Sequence, residues 1–185
     1  MIYHTKMEKI KALFFEDTLK RWHFEGIVKE SGMSRERINH YLKELLKEGF
    51  ITRTKPKGKM PYYTANNDSE KFRFEKRFYG LSRLEKSGLF EHLNSIREIK
   101  TAILFGSFSR GDFSRSSDID LFIYGDADRF DKAKFELITK KNIQLFSYTN
   151  PADMKKDLDP KLIPNIFKGF SIKGDIEPFK VDLNA

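Results

Sequence analysis

The sequence predicts an α+β fold built from two modules. A run of three helically spaced apolar stretches is followed by two short strands around a Pro/Gly turn, and further on strands alternate with helices. The charge is also uneven: residues 1–66 hold 14 Lys/Arg against 8 Asp/Glu, and the remaining residues hold 21 against 19. A basic front joined to a nearly neutral back marks two modules, of which the first suits a polyanion. The expected division is 1–66, a helical connector over 67–87, and 88–185.

The chain of 185 residues is 39% hydrophobic and 14% aromatic, with 18 Phe, which is too apolar for disorder even though 34% of its residues are charged. With no cysteine, a disulfide framework, a thiolate zinc site and a thiol nucleophile are excluded. The start, MIYHTKMEKIKALFF, has no long apolar run of the signal-peptide kind, and no stretch of 18 apolar residues occurs. The expectation is a soluble, cytoplasmic protein with no membrane partner.

In the first module, Ile10, Leu13 and Phe14 predict a helix over about Lys6 to Glu16. A second is expected over about Leu19 to Glu30, with Trp22, Ile27 and Val28 turned inward. A third follows Gly32, with Ser34 as N-cap. Arg37 stands three residues on, where a full capping box needs Glu or Gln. Ile38, Leu42, Leu45 and Leu46 form its apolar stripe, Gly49 ends it, and Arg35, Asn39, His40 and Lys43 fall mostly on its exposed side. FITRTK, PKGK and MPYYTAN then read as a hairpin whose tip holds Arg53, Lys55, Lys57 and Lys59 with no acidic neighbour. His4, His23, His40 and His92 are each isolated from other metal-ligating residues at usable spacing, so none is assigned chemistry.

This order of helix, helix, turn, helix and basic hairpin resembles the winged helix-turn-helix family over about residues 5 to 66. The resemblance implies double-stranded DNA as partner. The third helix would then enter the major groove with Ser34, Arg35, Arg37, Asn39, His40 and Lys43 as base and phosphate readers, and Arg53, Lys55, Lys57 and Lys59 would neutralise phosphates. Winged helices also serve as protein-binding modules, and that alternative stays open.

The connector predicts one long helix from about Ser69 to Glu85 and a short one over Gly88 to Ser95. Phe72, Phe78 and Leu81 are spaced for its buried face, and Phe74 lies away from it. A homodimer through this helix is expected, since helix-turn-helix proteins read half-sites in pairs.

In the second module, a strand from Ala102 to Phe105 breaks at Gly106-Ser107 into a short polar helix, and SDIDLFIYG begins the next strand. Strand residues two apart share a face, so Asp118 and Asp120 project together while Ile119 and Leu121 point into a core. Two adjacent carboxylates repel, and a cation between them relieves it. Oxygen-only donors select Mg²⁺ or Mn²⁺. The nearby Gly-Ser turn offers backbone N–H groups and a hydroxyl to phosphate. Together these describe a site for a metal-chelated nucleoside triphosphate. DKAKFELITK, ADMKKDL and PKLIPNIFKGF read as helices, KNIQLFSYT as a third strand, and GFSIKGD as a closing strand.

Phe105-Gly106-Ser107, three residues, Gly111, six residues, then Asp118-Ile119-Asp120-Leu121 resembles the signature of the DNA polymerase beta-like nucleotidyltransferases, in particular their minimal members, over about residues 88 to 175. The resemblance implies a mixed sheet with flanking helices, and transfer of NMP from a Mg-NTP to a hydroxyl. Asp118 and Asp120 would be the catalytic, metal-holding pair, with Gly106, Ser107, Arg110 and Ser117 on the nucleotide. It also implies a third carboxylate on the strand after the intervening helix, where this chain has Gln144. Gln cannot remove a proton. Asp126, Asp128, Asp131 or Glu136 could stand in only if the chain after the second strand folds back. A transcriptional regulator whose back half binds nucleotide without chemistry therefore competes with an enzyme, and a pairing with a small helical protein is a third reading.

Overall fold

The computed structural model describes residues 5–175 and divides into two compact units, with the boundary between Tyr79 and Gly80. The boundary lies inside a helix that the sequence assigns to the connector. His4 and residues 176–185 fall outside the described residues.

The first unit opens with α1 (Lys6–Glu16). Thr5 caps it through a reciprocal pair of bonds: Glu8 N–H donates to Thr5 Oγ1 (3.2 Å), and Thr5 N–H donates to Glu8 Oε2 (2.8 Å). α2 (Phe24–Ser31) is shorter than the spacing predicts, because residues 19–23 are not helical. Trp22 is extended instead, exchanging two 2.8 Å backbone hydrogen bonds with Tyr63. That exchange adds a rung to the hairpin formed by β1 (Ile51–Thr54) and β2 (Tyr62–Ala65), and it leaves Leu19 on the surface. Two good backbone bonds to the β2 strand outweigh the extra helical turn that Leu19 to His23 could have made.

α3 (Arg35–Lys47) starts at Ser34, whose hydroxyl accepts from Arg37 N–H. Its end is fixed by Gly49, which takes the left-handed conformation at φ +65°. Gly49 N–H then reaches Leu46 O at 3.1 Å and Phe50 N–H reaches Leu45 O at 2.9 Å, so two otherwise orphaned carbonyls are satisfied and the chain turns into β1. The core joins Ile10 and Phe14 of α1 to Ile27, Ile38, Leu42, Leu45 and Phe50.

α4 (Glu70–Lys86) crosses the boundary between the units. Phe72 from its first half is fully buried in the first core, 5.3 Å from the Phe15 ring and 4.9 Å from the Phe50 ring. Phe78 does not share that face: it is 62% exposed and lies 5.7 Å from Phe74, which is 65% exposed. Phe72 and Phe78 are six residues apart, about 240° around a helix of 3.6 residues per turn, so burying one turns the other outward.

The second unit is a four-stranded mixed sheet with flanking helices, in the order β5-β4-β3-β6. It comprises α5 (Leu89–Ser95), β3 (Ile99–Phe105), α6 (Gly106–Arg110), β4 (Ile119–Gly125), α7 (Lys132–Thr139), β5 (Ile143–Tyr148), α8 (Pro151–Asp157), α9 (Ile163–Phe167) and β6 (Phe170–Lys173). β3 runs antiparallel to β4 and β6, whereas β4 and β5 are parallel and joined through α7. Period-2 alternation sends Phe122 to a core with Ile103, Phe105, Met154, Leu158 and Ile166, under α8 and α9. Ile119, Leu121 and Ile123 on the other face are also buried, so both faces of β4 are covered. No described helix is long and apolar enough to cross a membrane.

Phe72→Ala removes a ring wedged between two others and should cost the first unit about 3–5 kcal/mol. Urea unfolding followed by the fluorescence of Trp22, the single tryptophan, reads that unit directly.

Candidate active site

The β3–α6–β4 segment places every carboxylate of the site. In the antiparallel β3–β4 ladder Phe105 pairs with Asp120, so the residue that follows Phe105 meets the Asp120 side chain. That residue is Gly106, at φ +67° in the left-handed region, and a Cβ there would overlap the Asp120 carboxylate. Glycine is required twice over, by the backbone angle and by the close approach. Buried Ser109 holds the turn by donating its hydroxyl to Gly106 O at 3.0 Å. Ser109 was not among the residues singled out by motif, because its role is to brace the glycine rather than to face a ligand.

Asp118 is exposed just before β4, and Asp120 is half-buried within it. Burial, and after it the negative charge of Asp118, push the Asp120 carboxyl above its ordinary range, and Arg110 offsets part of that rise. Arg110, the last residue of α6, also donates from Nε to Asp112 Oδ2 at 3.0 Å. Ser107 lies in the first turn of α6. Ser117 Oγ accepts from Ser114 N–H at 2.8 Å, so it closes the serine-rich loop that leads to Asp118.

β5 lies beside this pair. Its register sets Gln144 directly opposite Asp120, and residues paired in a parallel ladder share a face. Gln144 is exposed there. Three residues that the motifs do not mark hold the entry to these strands. Lys141 Nζ donates to Ser114 O (2.9 Å) and Arg115 O (2.6 Å), Glu136 Oε1 accepts from Ile143 N–H (2.8 Å), and Asn142 O accepts from Ile119 N–H (2.8 Å). These contacts span 7 to 27 positions, so no local pattern announces them.

The donor set fits one hard divalent cation. Two neighbouring carboxylates with mutual repulsion can share it, and Mg²⁺ takes one or two carboxylates and fills its remaining sites with phosphate oxygens or water. A second metal lacks its carboxylate, because Gln144 brings no charge. Among the described residues no three His, Asp or Glu side chains converge into a metal site formed by protein alone.

Residues 89–172 match the family model described as Polymerase beta, Nucleotidyltransferase. The second unit contains a polymerase beta-like nucleotidyltransferase domain. A 49-residue stretch of the chain is 43% identical to a Methanocaldococcus jannaschii protein with the provisional name protein adenylyltransferase MJ0604, over 24% of this chain and 49% of that protein. The chain spans about half the length of the curated relative it matches. Asp118, Asp120, Gly106 and Ser107 all lie inside the segment that matches the family model.

His40 lies on the surface of α3 with Nε2 3.4 Å from Glu44, His23 Nδ1 lies 3.0 Å from Pro61 O, and His92 packs against Phe130 and Phe135. None of the three belongs to a cluster of metal-ligating side chains among the described residues. On α3, Arg35 pairs with Glu25, while Arg37, Asn39 and Lys43 are exposed. On the hairpin, Arg53, Lys55, Lys57 and Lys59 are exposed.

The raised Asp120 pKa has a measurable consequence in the nucleotidyltransferase domain. When the folded-state value exceeds the unfolded one, folding takes up a proton between the two, so stability falls as pH rises through that window. Asp120→Asn should therefore raise the Tm of the second unit at neutral pH without added divalent ion. The gain should vanish once the pH drops below the ordinary carboxylate range. Calorimetry across pH checks both.

Proposed function

We propose that the protein is a nucleotidyltransferase that moves NMP from a Mg-NTP to a hydroxyl acceptor and carries a DNA-binding winged helix-turn-helix module in front. One observation carries the catalytic reading: the Asp120 carboxylate lies against the Gly106 turn, with Asp118 near enough for its charge to act on it. Carboxylates beside a phosphate-cradling turn are mutually repulsive until a polyphosphate and its metal fill the space between them.

In this reading Gly106 and Ser107 receive the triphosphate through backbone N–H groups and a hydroxyl. Arg110 adds a positive charge, Ser117 fixes the loop, and Asp118 and Asp120 hold Mg²⁺. The metal supplies charge neutralisation at the transferring phosphoryl group. The acceptor oxygen bonds to the α-phosphorus, the bond from that phosphorus to the bridging oxygen breaks, and pyrophosphate departs. Gln144 can orient the acceptor hydroxyl by accepting its hydrogen bond, and the proton leaves to solvent. Labelled NTPs incubated with Mg²⁺ and a cell extract should label an acceptor with the parent protein and not with Asp118→Ala/Asp120→Ala. Absence of label from the parent, with nucleotide still bound, would refute transfer.

Gln144 opposite Asp120 favours a second reading, in which the domain binds nucleotide without chemistry and alters DNA affinity. The relative named as a protein adenylyltransferase supports the first. For the front module, the order α1-α2-α3-hairpin, the exposed Arg37, Asn39 and Lys43, and the basic hairpin tip support DNA as partner. Lys55→Ala, Lys57→Ala and Lys59→Ala should each weaken duplex binding and reduce the slope of log Kobs against log salt by about one. Titrations at several salt concentrations read that slope, and an unchanged slope in the triple variant would overturn DNA contact by the hairpin.

A further inference from the structure

Gly80 is the first residue of the second unit and lies within α4, ahead of the segment that matches the nucleotidyltransferase family. Its backbone is helical with no positive φ, so the conformation there does not ask for glycine. Alanine would make the better helix. What excludes a side chain is a neighbour: a Cβ at Gly80 would come within 2.6 Å of Phe113 Cε1 and 3.1 Å of Phe113 Cζ.

Phe113 is buried, and its ring lies flat on that of Phe108, with centroids 4.5 Å apart and planes 4° from parallel. Phe108 is buried too and belongs to α6, between Ser107 and the Ser109 whose hydroxyl holds the Gly106 carbonyl. The main chain adds a second tie. Gly111 N–H and Asp112 N–H both donate to Ser107 O, at 2.9 and 3.1 Å, so the two residues before Phe113 are fastened to Ser107 itself. A packed interior passes a displacement on rather than absorbing it. α6 has five residues, too few to hold a direction by its own hydrogen bonds, so its aim depends on what packs against it.

We propose that Gly80 is a positioning residue for the nucleotide site: by leaving room for Phe113 it sets, through the Phe113–Phe108 stack, where Gly106 and Ser107 meet the triphosphate. α4 is then part of the site's framework although it precedes the matched segment. The inference rests on the proposed binding of nucleotide at Gly106 and Ser107.

The test uses the full chain with Gly80→Ala, Phe113→Leu and the double variant. Equilibrium dialysis of each labelled NTP with Mg²⁺ reads the site, and calorimetry reads the stability of the second unit separately. At a temperature where that unit is folded, Gly80→Ala should weaken the tightest-bound NTP by at least about tenfold, or 1.4 kcal/mol. Adding Phe113→Leu should restore most of that loss, because leucine lacks the Cε1 and Cζ atoms that meet the new methyl group. A lower Tm with an unchanged dissociation constant would mean a glycine kept for packing alone and would overturn the proposal. A double variant that binds no better than Gly80→Ala would overturn the route through Phe113. Amide hydrogen exchange, measured without nucleotide, separates the inference from the reading it rests on. Exchange at Gly111 and Asp112 should quicken in Gly80→Ala, since their N–H groups bond to Ser107 O. If the parent binds no NTP and this exchange still quickens, nucleotide binding is refuted and the hold of Gly80 on α6 stands. Unchanged exchange refutes that hold.

Discussion

Two neighbouring negative charges at the start of β4 set the terms for the rest of the second unit. Asp120 is half-buried and pressed against the Gly106 turn, so it has lost part of its water and still faces Asp118. An apolar strand would be more stable at that position, since burying a carboxylate without a partner costs free energy. The surrounding framework holds the arrangement in place. β4 lies between two other strands, both of its faces are buried, and the antiparallel pairing of Phe105 with Asp120 fixes where Gly106 must turn. A one-residue slip of that ladder would send Asp120 to the opposite face and into the apolar core. The same register that makes the sheet therefore makes the site.

The parallel partner strand brings a different kind of group. Gln144 stands opposite Asp120, where a third carboxylate would add a negative charge to two already close together. An amide there accepts and donates hydrogen bonds without deepening the repulsion. It equally cannot take a proton or hold a second metal alone. The site as built suits one cation, a polyphosphate, and an acceptor whose proton leaves by water.

Much of this was legible in the sequence because it is local. The capped start of α3, the Gly49 end, the hairpin and the Gly-Ser turn before the Asp118 and Asp120 pair all depend on residues within a few positions of one another. The interval from Gly106 to Asp120 is short enough for one motif to report it. The departures come from contacts between distant residues. Trp22 reads as helical until Tyr63, 41 positions away, offers it two backbone hydrogen bonds. Phe78 looks like the companion of Phe72 until the rings of Phe15 and Phe50 fix which way α4 rolls. Lys141 and Glu136 carry no motif, and their roles exist only once the serine-rich loop, α7 and β5 are brought together.

The same distinction bears on how the surroundings of Asp118 and Asp120 are specified. The Gly106 turn and the strand that carries Asp120 follow each other in the chain, so a short local motif reports them. A cavity beside Asp118 is assembled from the loop before β4, the end of α7 and the residues that lead into β5, which are held together by Lys141 and Glu136. Those segments can change charge without disturbing the β3–β4 register, because none of them lies within that ladder. Arg115 and Lys140, one on the serine-rich loop and one at the end of α7, line the cavity that Asp118 shares, so their charges can vary while the β3–β4 ladder stays as it is.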